Sequence, residues 1–277
     1  MQMAQRNEKI EDVVQTFVDA LRSDRDVNIA FGGMTGVGKT TCLWSLHKEF
    51  CKLMKKDITM DTMTWERAEL LKWVDGDKEG AGRLPEYSSI MADELISMFY
   101  KRNWYEDGQK AAIELFNKCR DRHLLLMGAV PNFWDLDSGM ISRFRFYIYI
   151  PFRGVAWVFK QENNPFASDQ WNIGENRKAF RKKKNPFSCP NFAFQFNFDD
   201  FAPEEKTTYL QLRNTKRRDT ENQNKGKDKP VRYRAIKIQR DEAIKLAYET
   251  GKYTLAQISE RVNLDASHIG DVCNGVA

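Results

Sequence analysis

Apolar residues recur at helical spacing from Glu8 to Leu21, where Ile10, Val13, Val14, Phe17, Val18 and Leu21 fall on one face. The pattern then changes. Val27-Asn28-Ile29-Ala30-Phe31 is a short, mostly apolar run that predicts a strand, and Thr41 to Phe50 returns to helical spacing. Asp57 to Asp61 predicts a short second strand, and Thr64 caps a helix that reaches Trp73, with Glu66 and Arg67 near its start. Asp75 to Gly82 is charged and glycine-rich, which predicts an exposed loop. Tyr87 to Ala92 reads as a strand, Gln109 to Arg122 as a helix, and His123 to Val130 as a strand that stops at Pro131-Asn132. Arg143 to Ile150 and Gly154 to Phe159 read as two strands joined by a turn at Pro151 to Gly154. Strands alternating with helices predict an α/β fold of the P-loop NTPase type, a largely parallel doubly wound sheet.

Beyond Phe159 the character shifts. Asn163 to Phe201 is rich in Asn, Phe, Pro and Lys and reads as an arm packed on the core; its phenylalanines (187, 192, 194, 196, 198, 201) mark a half-buried strand or a platform for unpaired bases. Ala202 to Leu210 begins a helix, and Asp219 to Pro230 is polar enough to be a flexible linker. Three short helices follow, at Asp241 to Tyr248, Thr254 to Val262 and Ala266 to Cys273. Only Asn263-Leu264-Asp265 separates the last two, with Asp265 as N-cap and Ala256, Ile258, Val262, Ile269 and Val272 turned inward. That is the pattern of a helix-turn-helix, a small all-α C-terminal domain; three short helices also serve as protein-interaction appendages, but the tight spacing and the basic linker in front point to DNA. Asp265 and Asp271 in the recognition helix repel phosphate. The expected division is 1–212 for the ATPase domain, 213–238 for a basic linker and 239–277 for the helix-turn-helix.

Charge supports that division. The formal net charge of +5 is concentrated in Arg177 to Lys184 and in the cations between Arg213 and Arg240, C-terminal to the nucleotide module. Such blocks either contact phosphate backbones or keep a linker solvated. No apolar run approaches the roughly 18 to 20 residues of a membrane span, and Met1 to Lys9 lacks the apolar centre of a secretory signal. Five scattered cysteines without C-x-x-C spacing argue against a zinc ribbon and a disulfide framework. A cytoplasmic protein without membrane contact is expected, with Mg²⁺ as its metal.

The most specific chemistry lies between the first strand and its helix. Gly33-Met34-Thr35-Gly36-Val37-Gly38-Lys39-Thr40 completes G-x-x-x-x-G-K-[ST], followed by Thr41. Glycines let the backbone N–H groups turn inward on an anion, and the new helix adds the positive end of its dipole. Lys39 reaches the β and γ phosphates, and the Thr40 hydroxyl binds Mg²⁺. ATP with Mg²⁺ is the expected cofactor. Ala92-Asp93-Glu94, ending a strand-like run, has the form of a Walker B motif: Asp93 holds the metal shell and Glu94 activates the attacking water. Asn132 follows a strand end, where ligands of open parallel sheets collect, and is either a phosphate sensor or a turn former. Arg143 is either an arginine finger supplied to a neighbouring subunit or an ornament of an edge strand.

From Phe31 to about Tyr209 the chain resembles the FtsK–HerA branch of P-loop ATPases, which includes zonula-occludens-toxin-like proteins of filamentous phages and viral genome-packaging ATPases. The resemblance rests on the phosphate loop, on Ala92-Asp93-Glu94, on Cys119-Arg120-Asp121-Arg122 before Leu124-Leu125-Leu126, and on Leu136-Asp137 before the Arg143 strand. Pro131-Asn132 stands where that family often carries a polar Gln. The resemblance implies a homo-oligomer, a hexameric ring in that family, that drives DNA through a pore for a virus or other mobile element, in the host cytoplasm. Two other classes remain: an ATP-switched DNA-binding regulator or assembly factor, and a P-loop nucleotide kinase. Glu94 beside Asp93 and the C-terminal appendage argue against the kinase.

Overall fold

The computed structural model describes residues 7–77, 80–95, 116, 118–136, 138–162, 169–183, 185–225, 231–262 and 265–274; at 217–225, 231–238, 266 and 268 it describes the backbone alone. The chain divides into two compact units, Met1–Arg217 and Arg218–Ala277.

The first unit is mixed α/β and built on one eight-stranded sheet. Its strands are β1 (Asn7–Glu8), β2 (Val27–Gly32), β3 (Met63–Thr64), β4 (Ser89–Ala92), β5 (Leu125–Ala129), β6 (Phe146–Phe152), β7 (Val155–Lys160) and β8 (Phe192–Asn197). They lie side by side as β1-β8-β7-β6-β2-β5-β4-β3. β2 is central, parallel to β5 from the Val27–Leu125 pair to Phe31–Ala129 and parallel to β6 from Ile29–Phe146 to Gly32–Tyr149. β7 runs antiparallel to both β6 and β8. For the β6–β7 pair the cause is local: Arg153 and Gly154 (φ +88°) turn the chain back at once, and a tight hairpin admits only antiparallel pairing.

Period-two alternation divides the core between the two faces. Ile29, Phe31, Leu125, Met127 and Ile148 pack with α1 (Ile10–Arg22) and α2 (Lys39–Met54), through Val13, Phe17, Leu21, Leu43, Leu46 and Phe50. Ala30, Ile90 and Leu126 turn the other way, onto Phe116, Phe133, Phe144 and Trp171. With both faces covered, the central strands carry near-continuous apolar runs, which is why they were visible in sequence. α3 (Arg67–Asp75) follows β3.

Several expectations are corrected. Asp57 to Asp61 is not a strand; the backbone that pairs with β4 begins at Thr62, whose carbonyl accepts Met91 N–H at 2.9 Å, with Asp93 N–H to the Thr64 carbonyl at 2.9 Å. The phenylalanine-rich segment is not merely an arm on the core: it contributes β8 to the main sheet, with Phe196 fully buried and Phe192 and Phe194 half-buried, as the half-buried-strand reading of its phenylalanines expects. It also contains helix α4 (Ile173–Lys183). Most of the expected helix at 109–122 lies outside the described residues; Phe116 and 118–121 are helical.

α5 (Pro203–Lys225) begins with Pro at its first position, where a missing N–H costs nothing, and continues past Arg217. The expected linker is therefore helical through Lys225 and again from Val231; 226–230 lie outside the described residues.

The second unit holds α6 (Val231–Glu249), α7 (Leu255–Val262) and α8 (Ala266–Asn274). Ile244, Ile258, Ile269 and Val272 form its core, with Leu255 against them. Ala256 and Val262, expected to point inward, are exposed. Thr254 and Gln257 form a reciprocal cap at the start of α7, Thr254 N–H to Gln257 Oε1 at 2.9 Å and Gln257 N–H to Thr254 Oγ1 at 3.3 Å. Asp265 Oδ1 accepts Ser267 N–H at 3.1 Å and caps α8. Asn263 and Leu264 lie outside the described residues.

Candidate functional site

The carboxyl end of β2 runs directly into the glycine loop. Gly33 has φ +141°, and a Cβ there would come within 2.6 Å of the Ile150 carbonyl oxygen, so the close passage of the loop over β6 requires glycine. Gly38, at φ +97°, is the residue from which α2 starts. The first turn of α2 carries no acidic side chain, which leaves its positive end open to an anion.

Lys39 folds back over the loop, its Nζ donating to the carbonyls of Gly33 at 2.8 Å and Met34 at 2.9 Å. Burial holds its pKa below the usual lysine range, and the Asp93 carboxylate opposes that shift. Thr40 Oγ1 donates to Asp93 Oδ1 at 2.9 Å. Asp93 follows β4 and is buried at 6% exposure. Its second oxygen, Oδ2, accepts the Tyr209 hydroxyl at 2.8 Å. The Tyr209 hydroxyl is pushed well above the ordinary tyrosine range, first by burial and then by the Asp93 charge, so it stays a donor. Glu94 is exposed, with a left-handed backbone at φ +69°.

These groups surround a cavity of about 380 Å³. Its wall includes Thr35, Gly36, Gly38, Lys39, Thr40 and Thr41 from the loop and α2, together with Asp93 and Glu94. Other parts come from elements that no short motif marked: Arg153 from the β6–β7 turn, ion-paired to Asp200, and Lys206, Tyr209 and Arg213 from α5. The only advance signal was Lys206, Tyr209, Leu210 and Arg213 recurring at one helical face, a spacing that an exposed helix shows just as often.

Two predicted residues lie elsewhere. Asn132 does not line the cavity, although Ala129 and Pro131 do; its side-chain oxygen accepts Trp134 N–H at 3.3 Å and caps the turn Phe133–Asp135. Arg143 stands at the amino end of β2, where its carbonyl accepts Asn28 Nδ2 at 3.0 Å. There it lines a second cavity, of about 360 Å³, with Asp24, Arg25, Asp26, Arg120 and Arg145. A larger groove of about 1290 Å³ opens beside it, lined by Arg25, Arg145, Lys160, Phe187, Phe192 and Phe194. Size does not make it the leading site, because the glycine loop, helix start and Thr40–Asp93 pair converge only on the cavity of about 380 Å³.

A hydroxyl and a carboxylate in direct contact beside an anion-binding helix start are the donor set that suits Mg²⁺ held together with phosphate oxygens. No family model matches the chain, and no curated protein matches it. Among solved structures it is similar to the crystal structure of the N-terminal domain of zonular occludens toxin from Neisseria meningitidis, at 14% identity over 64% of this chain and 95% of that one, with a TM-score of 0.36. A likeness this distant neither fixes the fold nor transfers an activity. Among the described residues no helix is long and apolar enough to cross a membrane.

Proposed function

We propose that this chain binds ATP with Mg²⁺ at the Gly33–Thr41 loop, hydrolyses it, and couples the cycle to DNA as a homo-oligomer, as a motor for translocation or packaging. The observation that carries the nucleotide reading is the Thr40–Asp93 hydrogen bond of 2.9 Å at the mouth of a glycine loop, because it brings two separate sequence motifs to one point. Gly33 to Gly38 and the α2 start hold the inner phosphates through backbone N–H groups, and Lys39 leaves its carbonyl partners to take the outer ones. Thr40 and Asp93 hold Mg²⁺, which supplies charge neutralisation at the phosphate oxygens. Glu94, the exposed carboxylate beside them, orients and deprotonates the attacking water.

DNA as partner rests on the basic excess C-terminal to the ATPase module and on the helix spacing of the second unit. A second reading, an ATP-switched DNA-binding regulator, is favoured by one specific observation: Tyr209, on a helix outside the loop, bonds Asp93, so the state of the site can act on that helix. ATPase assays with and without double- and single-stranded DNA, run beside mass measurement with the imido analogue of ATP, test both. Continuous DNA-stimulated turnover supports the motor. Slow turnover with ATP-dependent assembly supports the switch, and no turnover or binding at any DNA concentration refutes both.

A further inference from the structure

One wall of the nucleotide cavity has no part in the loop chemistry just described. Lys206, Tyr209, Leu210 and Arg213 reach the cavity from α5 at positions i, i+3, i+4 and i+7, a single helical face. The Tyr209 bond to Asp93 Oδ2 fixes the rotation of that face, and Arg213 lies one turn further along it. Of the other cations that line the cavity, Arg153 is ion-paired with Asp200, Lys39 donates to the Gly33 and Met34 carbonyls, and Lys206 acts electrostatically on Asp200. Arg213 differs. Its Nε is buried without a hydrogen-bond partner, and among the described residues no carboxylate pairs with it. A buried donor left unbonded is costly, and a guanidinium fork matches phosphate oxygens in geometry as well as in charge.

We propose that Arg213 contacts the terminal phosphate from within the same chain and gives the site its preference for a triphosphate over a diphosphate. The inference rests on the reading of this cavity as a nucleotide site. In that reading the loop N–H groups serve the inner phosphates common to both nucleotides, Lys39 reaches the outer ones, and Arg213, on the α5 face of the same cavity, adds its charge at the terminal phosphate alone. Arg213 is then a specificity-determining residue that favours hydrolysis-competent binding, set by the same helix that braces Asp93.

Calorimetric titration of the full-length protein with Mg²⁺ and either the imido analogue of ATP or ADP tests this. The wild type is expected to prefer the triphosphate, and Arg213→Gln to lose roughly tenfold or more in triphosphate affinity, the loss of one charge-assisted hydrogen bond, with ADP affinity changed less than about twofold. Arg213→Lys, which keeps the charge and the helix, is expected to recover part of the loss. Equal weakening for both nucleotides, in either variant, would assign Arg213 a merely structural role and overturn the proposal, as would an unchanged ratio. Failure of the parent reading looks different: a wild type that binds neither nucleotide, with Lys39→Ala indistinguishable from it.

Discussion

The two ends of the central strands carry the same kinds of residue to opposite effect. At the carboxyl end, Lys39, Arg153, Lys206 and Arg213 face Asp93, Glu94 and Asp200. At the amino end, Arg25, Arg120, Arg143 and Arg145 face Asp24 and Asp26. What differs is the backbone. The carboxyl end presents a glycine loop and the positive start of α2, so its cations add to a field that already favours an anion. The amino end receives the finish of α1 at Ser23, whose negative pole, with Asp24 and Asp26, offsets the arginines. Arg120 is bonded to Asp24 at 3.3 Å, and Arg120, Arg143 and Arg145 all act on Asp26. A count of basic residues cannot separate a ligand site from a self-neutralised cluster; the direction of the neighbouring helix can.

The largest effect expected is at the carboxyl end. Glu94→Gln keeps the size of the side chain and removes the carboxylate that we propose takes the proton from water, so turnover should fall by about 10² to 10⁴ while nucleotide binding survives. Steady-state hydrolysis beside titration with the imido analogue of ATP measures both. Hydrolysis at the wild-type rate removes Glu94 from the mechanism and leaves the carboxyl end a binding site only.

Between the two ends, charge is excluded, and pH sharpens the contrast. His47 is buried with Nδ1 at 2.6 Å from Ser89 Oγ, tying α2 to β4, and burial pushes its pKa down from 6.5 to about 4. Below pH 6.5 the unfolded chain takes up a proton that the folded chain refuses. The unfolded state then binds more protons, so stability falls as pH drops from 6.5 to about 4 and levels off below. A shift of that size corresponds to about 3 kcal/mol. Denaturant midpoints across this window should show the loss, and His47→Gln should flatten the slope. An equal slope in the variant would place the titrating group elsewhere.

Legibility in the sequence followed the same physics. The loop, Asp93 and Glu94 could be read because phosphate chemistry demands fixed residue types within a few positions of one strand end. β2 and β5 could be read because doubly covered strands run apolar, and β6 and β7 because buried and half-buried positions alternate along them. β3 was placed too early, at Asp57 to Asp61, because a two-residue strand carries no periodicity and is chosen by its partner β4. Tyr209, Arg153 and Arg213 are illegible as site residues because they join the cavity from more than a hundred residues beyond the glycine loop, at spacings that are ordinary for a helix and a hairpin turn. Asn132 and Arg143 show the converse: a plausible position at a strand end, with a side chain or a strand end that faces another task.

The smallest effect expected is at Arg143, and it bears on the comparison most directly. The side chain is exposed; Asp24 keeps its bond to Arg120, and Arg120 and Arg145 still act electrostatically on Asp26 after truncation. Exposed pairs of this kind contribute about 0 to 1 kcal/mol, and the backbone carbonyl that holds Asn28 is untouched by a change of side chain. Arg143→Ala should therefore hydrolyse ATP within about twofold of the wild type and melt within a few degrees of it, on the order of a change under 1 kcal/mol. A large loss of turnover would break the comparison, because it would mean that the amino end of one subunit completes the carboxyl end of the next. Mixing Arg143→Ala with Lys39→Ala subunits then decides: recovery of activity where an intact arginine meets an intact loop establishes a finger supplied in trans, and no recovery assigns the loss to the subunit's own fold.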